Sequence, residues 1–290
     1  MRYVLFCVGL LIFLAFTTGC STPRSTMTLA QVMEHETGRS ESTLPLYRCT
    51  AGAHRGASVT HLENTLVALK AADDDPRFAF IEFDVQYTKD KQIVLFHDQR
   101  LLRLYGKIAS VGKADYAELE QLSNGDIALY SEAMDTLHKR LNIEIKSQGD
   151  LGEDEQLADA IMDDLRARRR EKDVMISSIS SDVIRYIKNK YPGMATGQIY
   201  WLTSSTYLHW DRLTERLYEQ FKETQADYIM LHVVNLRNIE DLLKLKPKGK
   251  SIIVWDFKEG MFLVHKDSSD RLWGTSAVAN TWQQFWFRLR

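Results

Sequence analysis

Cysteine is scarce in this chain: 290 residues contain only Cys7, Cys20 and Cys49. Cys7 lies inside an apolar run and Cys20 just beyond it, so Cys49 has no intramolecular partner and a disulfide scaffold is excluded. Cys49 is expected to pack as a small hydrophobe in a strand. No CxxC pair or Cys/His cluster occurs, which removes the usual zinc signatures. An excess of charge is also missing. The 37 Lys and Arg nearly balance the 39 Asp and Glu, giving a net charge of −2, so no long-range field recruits nucleic acid. The one local exception, Arg166–Lys172 (RARRREK), reads as the solvated end of a helix, where cations complement the dipole. No apolar run reaches the ~20 residues that span a bilayer as a helix. No GxGxxG follows a strand, so a dinucleotide-binding fingerprint is absent. Internal repeats and long low-complexity segments are absent as well.

What is present starts with Arg2 and the apolar run Val4–Phe16, followed by Thr17-Thr18-Gly19-Cys20. This is the layout of a secretory signal peptide, expected to cover residues 1–19. Its end resembles the lipobox of bacterial lipoproteins, with Cys20 as the lipidated residue, although Thr17 replaces the usual leucine. Ser21, which is not aspartate, then favours sorting to the outer membrane. The expected location is the cell envelope, as a membrane-anchored lipoprotein facing the periplasm. Residues 20–45, rich in Ser, Thr and charge, read as a lipidated tether. Residues 46–290 form the expected folded domain.

From Leu46 onward, strand-like and helix-like segments alternate, predicting a mainly parallel sheet. About eight βα units fit a TIM (β/α)8 barrel, for which ~250 residues is typical. An open doubly wound sheet is the competing architecture. Strands are expected at 46–53, 78–86, 92–96, 141–146, 173–178, 195–200, 227–232, 251–256 and 276–280. Helices are expected at 64–73, 154–169, 180–190, 210–224 and 236–245, with Ser180 and Asn235 among the caps. The interval of about 98–140 breaks the rhythm and reads as a small insertion.

Active residues of such barrels sit where strands end. Four places qualify: His54-Arg55, Glu82 with Asp84 (IEFDV), His97-Asp98 (IVLFHD) and Glu144 with Lys146 (NIEIK). Residues two apart in a strand share a face. If that face is inward, Glu82, Asp84 and Glu144 converge at the barrel mouth. Three crowded carboxylates raise each other's pKa, and a hard divalent cation, Ca2+ or Mg2+, relieves the conflict. Two histidines suit proton transfer near neutral pH. Arg55 and Lys146 suit phosphate, the first as a fork and the second as a point charge. A phosphodiester is the matching substrate.

AHRG (Ala53–Gly56), ENT (Glu63–Thr65), IEFDVQYTKD (Ile81–Asp90), VLFHD (Val94–Asp98), NIEIK (Asn142–Lys146), SSIS (Ser177–Ser180) and Val254-Trp255 together resemble the glycerophosphodiester phosphodiesterases. The resemblance runs from about Tyr47 to Asn280. It implies a TIM barrel with a small insertion after the second histidine. It makes His54 and His97 the catalytic acid/base pair; which is base and which is acid stays open, with His54 favoured here as base. It makes Glu82, Asp84 and Glu144 the metal ligands and puts Arg55 and Lys146 on the phosphate. Glu63 and Asn64 would support the site, and Trp255 would wall the glycerol pocket. The implied reaction is metal-dependent hydrolysis to glycerol 3-phosphate and an alcohol through a cyclic phosphate. Departures lie on the substrate side. Leu62 precedes ENT where proline is usual, Trp255-Asp256-Phe257-Lys258 replaces Trp-Thr-Val-Asn, and the closing pattern is reduced to Trp273–Asn280. Phospholipase D-like action on lysophospholipids and a non-catalytic binding lipoprotein are the alternatives.

Simpler readings stand beside these. His35, His61, His138, His209 and His265 need no role, and His232 could line the mouth. Glu144 and Lys146 could be a salt-bridged pair, and Trp255 could belong to the core. Asp98 could orient His97 or accept a turn hydrogen bond. Trp282, Phe285, Trp286 and Phe287 fit a last helix packed on the barrel.

Overall fold

The computed structural model describes residues 48–200, 210–232, 245–256 and 258–266. Its strands, in chain order, are β1 (Arg48–Ala53), β2 (Phe78–Tyr87), β3 (Ile93–Leu95), β4 (Arg140–Ile145), β5 (Val174–Ser178), β6 (Ala195–Tyr200), β7 (Tyr228–His232), β8 (Ser251–Asp256) and β9 (Met261–Lys266). The helices are α1 (Leu66–Asp74), α2 (Leu102–Tyr105), α3 (Tyr116–Leu122), α4 (Tyr130–Thr136), α5 (Leu151–Ala167), α6 (Ser181–Lys190) and α7 (Trp210–Thr224). The expected strands and helices within the described residues fall on observed ones, with ends displaced by at most three residues. The helix expected at 236–245 and the Asn235 cap lie outside the described residues, apart from Leu245. Ser180 does cap α6, accepting from the Val183 N–H.

Eight strands close a barrel in the order β1-β9-β8-β7-β6-β5-β4-β2, and β1 pairs with β2 to complete the ring. Seven are parallel. β9 runs antiparallel to both of its neighbours, β8 and β1. The closing strand therefore returns through a hairpin from β8, with Gly260 at φ 56° in its turn. The strand expected at 276–280 lies outside the described residues.

Alternation along β2 shows how the sequence fills two spaces at once. Ile81, Phe83 and Val85 pack outward against the helices, with Leu69, Ile143 and Ile161. Phe80 faces the lumen with Met175, Ile199, Met230, Ile253, Trp255 and Phe262. A strand buried on both faces must be nearly continuously apolar, so Glu82 and Asp84, both fully buried, are conspicuous exceptions on the lumen side.

β3 is not a barrel strand. It pairs antiparallel with the upper end of β2, matching Leu95 to Val85. β1 pairs with the lower end, as far as Ala53 opposite Ile81. One edge of β2 thus has two partners, arriving from opposite directions. His54 follows Ala53 and His97 follows Phe96, whose N–H donates to the Asp84 carbonyl at 3.1 Å. This corrects the expectation that His97 ends a strand of the barrel. The insertion after it has a core of its own, including Val94, Phe96, Leu101, Val111, Leu119 and Ile127.

Candidate active site

The turn after β1 is bent around Glu82. Arg55 adopts φ 57°, uncommon for a residue with a Cβ. This aims its own N–H at Glu82 Oε2, 2.8 Å away, and the Gly56 N–H at the Glu82 carbonyl, 3.2 Å away. Gly56 also has positive φ, and a Cβ there would lie 2.6 Å from the Ala68 backbone carbon. The glycine of AHRG is thus required both by its backbone angle and by the closeness of α1.

The ENT triplet divides three tasks. Glu63 takes the Arg55 guanidinium at 2.8 Å. Asn64, at φ 58°, donates to Asp84 Oδ2 at 2.7 Å and accepts from the Asp84 N–H at 3.1 Å. Thr65 caps α1 by accepting from the Ala68 N–H. Two of the three residues therefore fix charged groups on other elements.

The ligating atoms of Glu82, Asp84 and Glu144 lie within 4.8 Å of one another. Arg55 Nε is 3.3 Å and Lys146 Nζ 3.0 Å from Asp84, and Lys146 also pairs with Glu144. The salt-bridge reading of Glu144 and Lys146 is thus realised, but as one edge of a larger cluster. Burial, aided by the Asp84 and Glu144 charges, pushes the Glu82 carboxyl well up. Burial raises Glu144 too, with Lys146 opposing. Asp84 is equally buried, yet Lys146 and Arg55 hold it far below the usual carboxylate range. Glu82 Oε1 has no hydrogen-bond partner among the described residues, nor do the buried Asn142 side-chain atoms or Ser177 Oγ. Asn142 is the register partner of Glu82, and Ser177 of Glu144. A buried orphan carboxylate oxygen within a hard all-oxygen donor set fits a divalent cation, so this triad could hold one.

Both imidazoles flank the triad. His54 Nε2 is 4.0 Å from Glu82 Oε2, and the His54 ring donates to the Asp256 carbonyl. Burial, with Arg55 adding to it, holds His54 well below 6.5 and hence neutral. His97 Nδ1 lies 2.6 Å from Asp98 Oδ1. A carboxylate only accepts, so Nδ1 carries the proton and Nε2 is left for other partners. Asp98 therefore orients His97.

Sequence reasoning missed Arg103, in α2. Its guanidinium donates to Asp98 Oδ2 at 2.7 Å and to both Glu63 oxygens at 2.9 and 2.6 Å. It connects the loop holding Arg55 to the loop holding His97. Nothing in the local pattern of an insertion helix marks an arginine for this, because both carboxylates come from elsewhere. Trp255 is buried in the lumen, as the core reading has it, and lies 5.5 Å, centroid to centroid, from His54. His232 packs edge-on against it at 4.9 Å, with Nε2 3.4 Å from Asp256 Oδ1.

Fold and site together define a closed α/β barrel carrying an acidic triad, two imidazoles and two cations at its mouth. The sequence model of the glycerophosphoryl diester phosphodiesterase family matches residues 54–272, and the chain belongs to that family. Human "Lysophospholipase D GDPD3" is 30% identical over 185 residues, 57% of this chain and 56% of that protein. A "Glycerophosphodiester phosphodiesterase" from Caldanaerobacter subterraneus subsp. tengcongensis is 32% identical over 163 residues, 51% of this chain and 65% of that one. The chain thus spans less than two thirds of the length of these relatives. The crystal structure of a glycerophosphodiester phosphodiesterase from Thermotoga maritima superposes with a TM-score of 0.55 at 27% identity, covering 71% of this chain and 84% of that one. An Oleispira antarctica phosphodiesterase, solved with its product sn-glycerol-3-phosphate, has a TM-score of 0.57 at 22% identity, covering 71% and 83%, and shares the fold.

Proposed function

We propose that this protein hydrolyses glycerophosphodiesters to glycerol 3-phosphate and an alcohol, with a divalent metal ion held by Glu82, Asp84 and Glu144. The observation that carries the reading is the convergence of those three carboxylates within 4.8 Å, beside His54, Arg55 and Lys146, with the His97 ring near enough to act electrostatically on Asp84 and Glu144. Fully ionised, three carboxylates against two cations leave one net negative charge. A divalent ion reverses that sign and matches a phosphodiester monoanion. When bound, it supplies Lewis-acid stabilisation of charge on the phosphoryl oxygens.

The chain's own groups supply the rest. Arg55, braced by Glu63, and Lys146 neutralise the non-bridging oxygens. Neutral His54 removes the proton from the glycerol hydroxyl next to the phosphate, which attacks phosphorus intramolecularly. Such proximity can supply ~7–11 kcal/mol of the barrier. His97 enters this step as the imidazolium, with its Nδ1–H on Asp98, and delivers its Nε2 proton to the departing alcohol. Water then opens the cyclic phosphate with the proton transfers reversed, giving back both imidazoles in their starting states. Trp255 walls the glycerol side.

The human relative's name, lysophospholipase D, supports a second reading in which the ester carries an acyl chain. The deciding assay uses glycerophosphocholine and lysophosphatidylcholine, each with Mg2+ or Ca2+ and each with EDTA. The first reading expects glycerol 3-phosphate from glycerophosphocholine, lost with EDTA. Preference for the acylated compound supports the second, and turnover of neither with either ion defeats both. Export and lipid attachment at Cys20 belong to the same proposal. Labelled palmitate should enter the wild type and not Cys20→Ser.

A further inference from the structure

Among the described residues, the exposed large apolar side chains are not scattered. Val59 and Leu62 sit on the β1–α1 loop and Val67 in the first turn of α1. Leu102 and Ile108 belong to the insertion, Leu151 starts α5, and Ile179 directly follows β5. All lie on the insertion or just beyond the C-terminal end of a parallel strand, on the side of the mouth. The described connections entering β2, β4, β5 and β6 at the other end carry none. Ile108 is 78% and Val59 65% exposed, far more than core packing leaves.

Charge is locally basic beside several of these side chains, although Glu118 borders the same surface as Arg100, Lys107, Ile108 and Lys113. The stretches Ala57–Leu62, Gln99–Lys113 and Ser177–Ser181 contain no Asp or Glu, although the whole chain has 39. Gln99–Lys113 contains Arg100, Arg103, Lys107 and Lys113. Arg103 is engaged by Glu63 and Asp98. No carboxylate among the described residues pairs with Arg100, Lys107 or Lys113. At the opposite end, Arg166 and Arg168 are neutralised by Asp163, Glu171, Asp164 and Asp135. Leu151 lies between Asp150 and Glu153 and so marks the edge of the cationic face.

We propose that the barrel mouth docks on an anionic lipid surface and takes its substrate, an acyl-bearing glycerophosphodiester, from that surface. Val59, Leu62, Leu102, Ile108 and Ile179 enter below the headgroups, while Arg100, Lys107 and Lys113 meet the lipid phosphates. Apolar tips on separate loops, with cations between them, suit a fluid interface. A helical peptide partner would need one continuous apolar stripe. The substrate half of this proposal rests on the second, acylated form of the phosphodiesterase reading, and the docking half does not.

The test uses the full chain and vesicles of phosphatidylcholine and phosphatidylglycerol in equal amounts. Hydrogen exchange should slow at residues 57–62 and 99–113 when vesicles are added, and stay unchanged at 168–173 and 191–194. The triple variant Val59→Ser, Leu102→Ser, Ile108→Ser should lose that protection. It should also turn over micellar lysophosphatidylcholine about tenfold more slowly, because it loses three membrane-buried apolar side chains. It should hydrolyse glycerophosphocholine at the wild-type rate. No protection by vesicles overturns docking, as does protection that grows with protein concentration alone, which marks a second copy of the chain. Equal loss on both substrates overturns the interfacial role of these side chains. A wild type that is protected by vesicles yet hydrolyses neither compound retains docking and removes the phosphodiesterase reading.

Discussion

Arg103 holds Asp98 and Glu63 with one guanidinium, and through them it sets the positions of His97 and Arg55. Burial alone would raise both carboxyls, but Arg103 and their other partners hold them below their usual range. Arg103→Ala should lower kcat by about 100-fold, the size of effect expected from a displaced catalytic group. Added guanidinium should restore part of the rate, and Arg103→Lys less than the native fork. A variant with unchanged kcat would remove Arg103 from the mechanism. His54 gives a second prediction at this scale. Its folded pKa lies below 6.5, and the base must be unprotonated, so kcat/KM falls only when pH drops below that value. An acid limb above 6.5 in the pH profile would contradict His54 as base. The linked stability has the same sign. The unfolded histidine takes up its proton first as pH falls, so His54 contributes stability above about 6.5 and loses it below. Glu82 supplies a third. Burial favours its protonated form, so Mg2+ or Ca2+ added to EDTA-treated protein should release protons in a pH-stat. At about 100 times Kd the ion should also stabilise the fold by ~2.7 kcal/mol.

At the scale of elements, the turn between β1 and α1 is set by backbone approach more than by side chains. Gly56→Ala would put a Cβ 2.6 Å from the Ala68 carbonyl carbon at a φ of 75°. Neither backbone can yield cheaply, so the expected loss is ~2 kcal/mol or more in urea unfolding, from strain and overpacking together. A loss within error would mean that the turn relaxes freely. The insertion acts differently. Its own small core lets it carry Arg103 to the mouth without drawing on the barrel's packing. That separation explains why the interval looked irregular in the sequence while its α2 holds a residue central to the site.

For the molecule as a whole, closure depends on β9. Ending the chain after Lys258 would expose one edge each of β1 and β8, a row of unpaired backbone groups inside a ring that has no other edge. Such a chain should lack a cooperative thermal transition by circular dichroism, and a sharp transition would show that the hairpin is dispensable. Most barrel strands were legible because each is a short apolar run bounded by turn residues. The charged residues Glu82, Asp84 and Glu144 stood out by interrupting such runs. β9 was not legible: the βα rhythm put the closing strand at 276–280, and Met261–Lys266, with only four apolar residues before His265 and Lys266, carries no mark of a strand returning antiparallel from β8. By itself the sequence determined the chemical inventory of the mouth, because alternation with period two assigns carboxylates in a strand to one face. Only the tertiary structure decided that β1 and β3 share one edge of β2 and that Arg103 joins their loops. Those pairings depend on groups far apart in the chain, whose meeting no local pattern encodes.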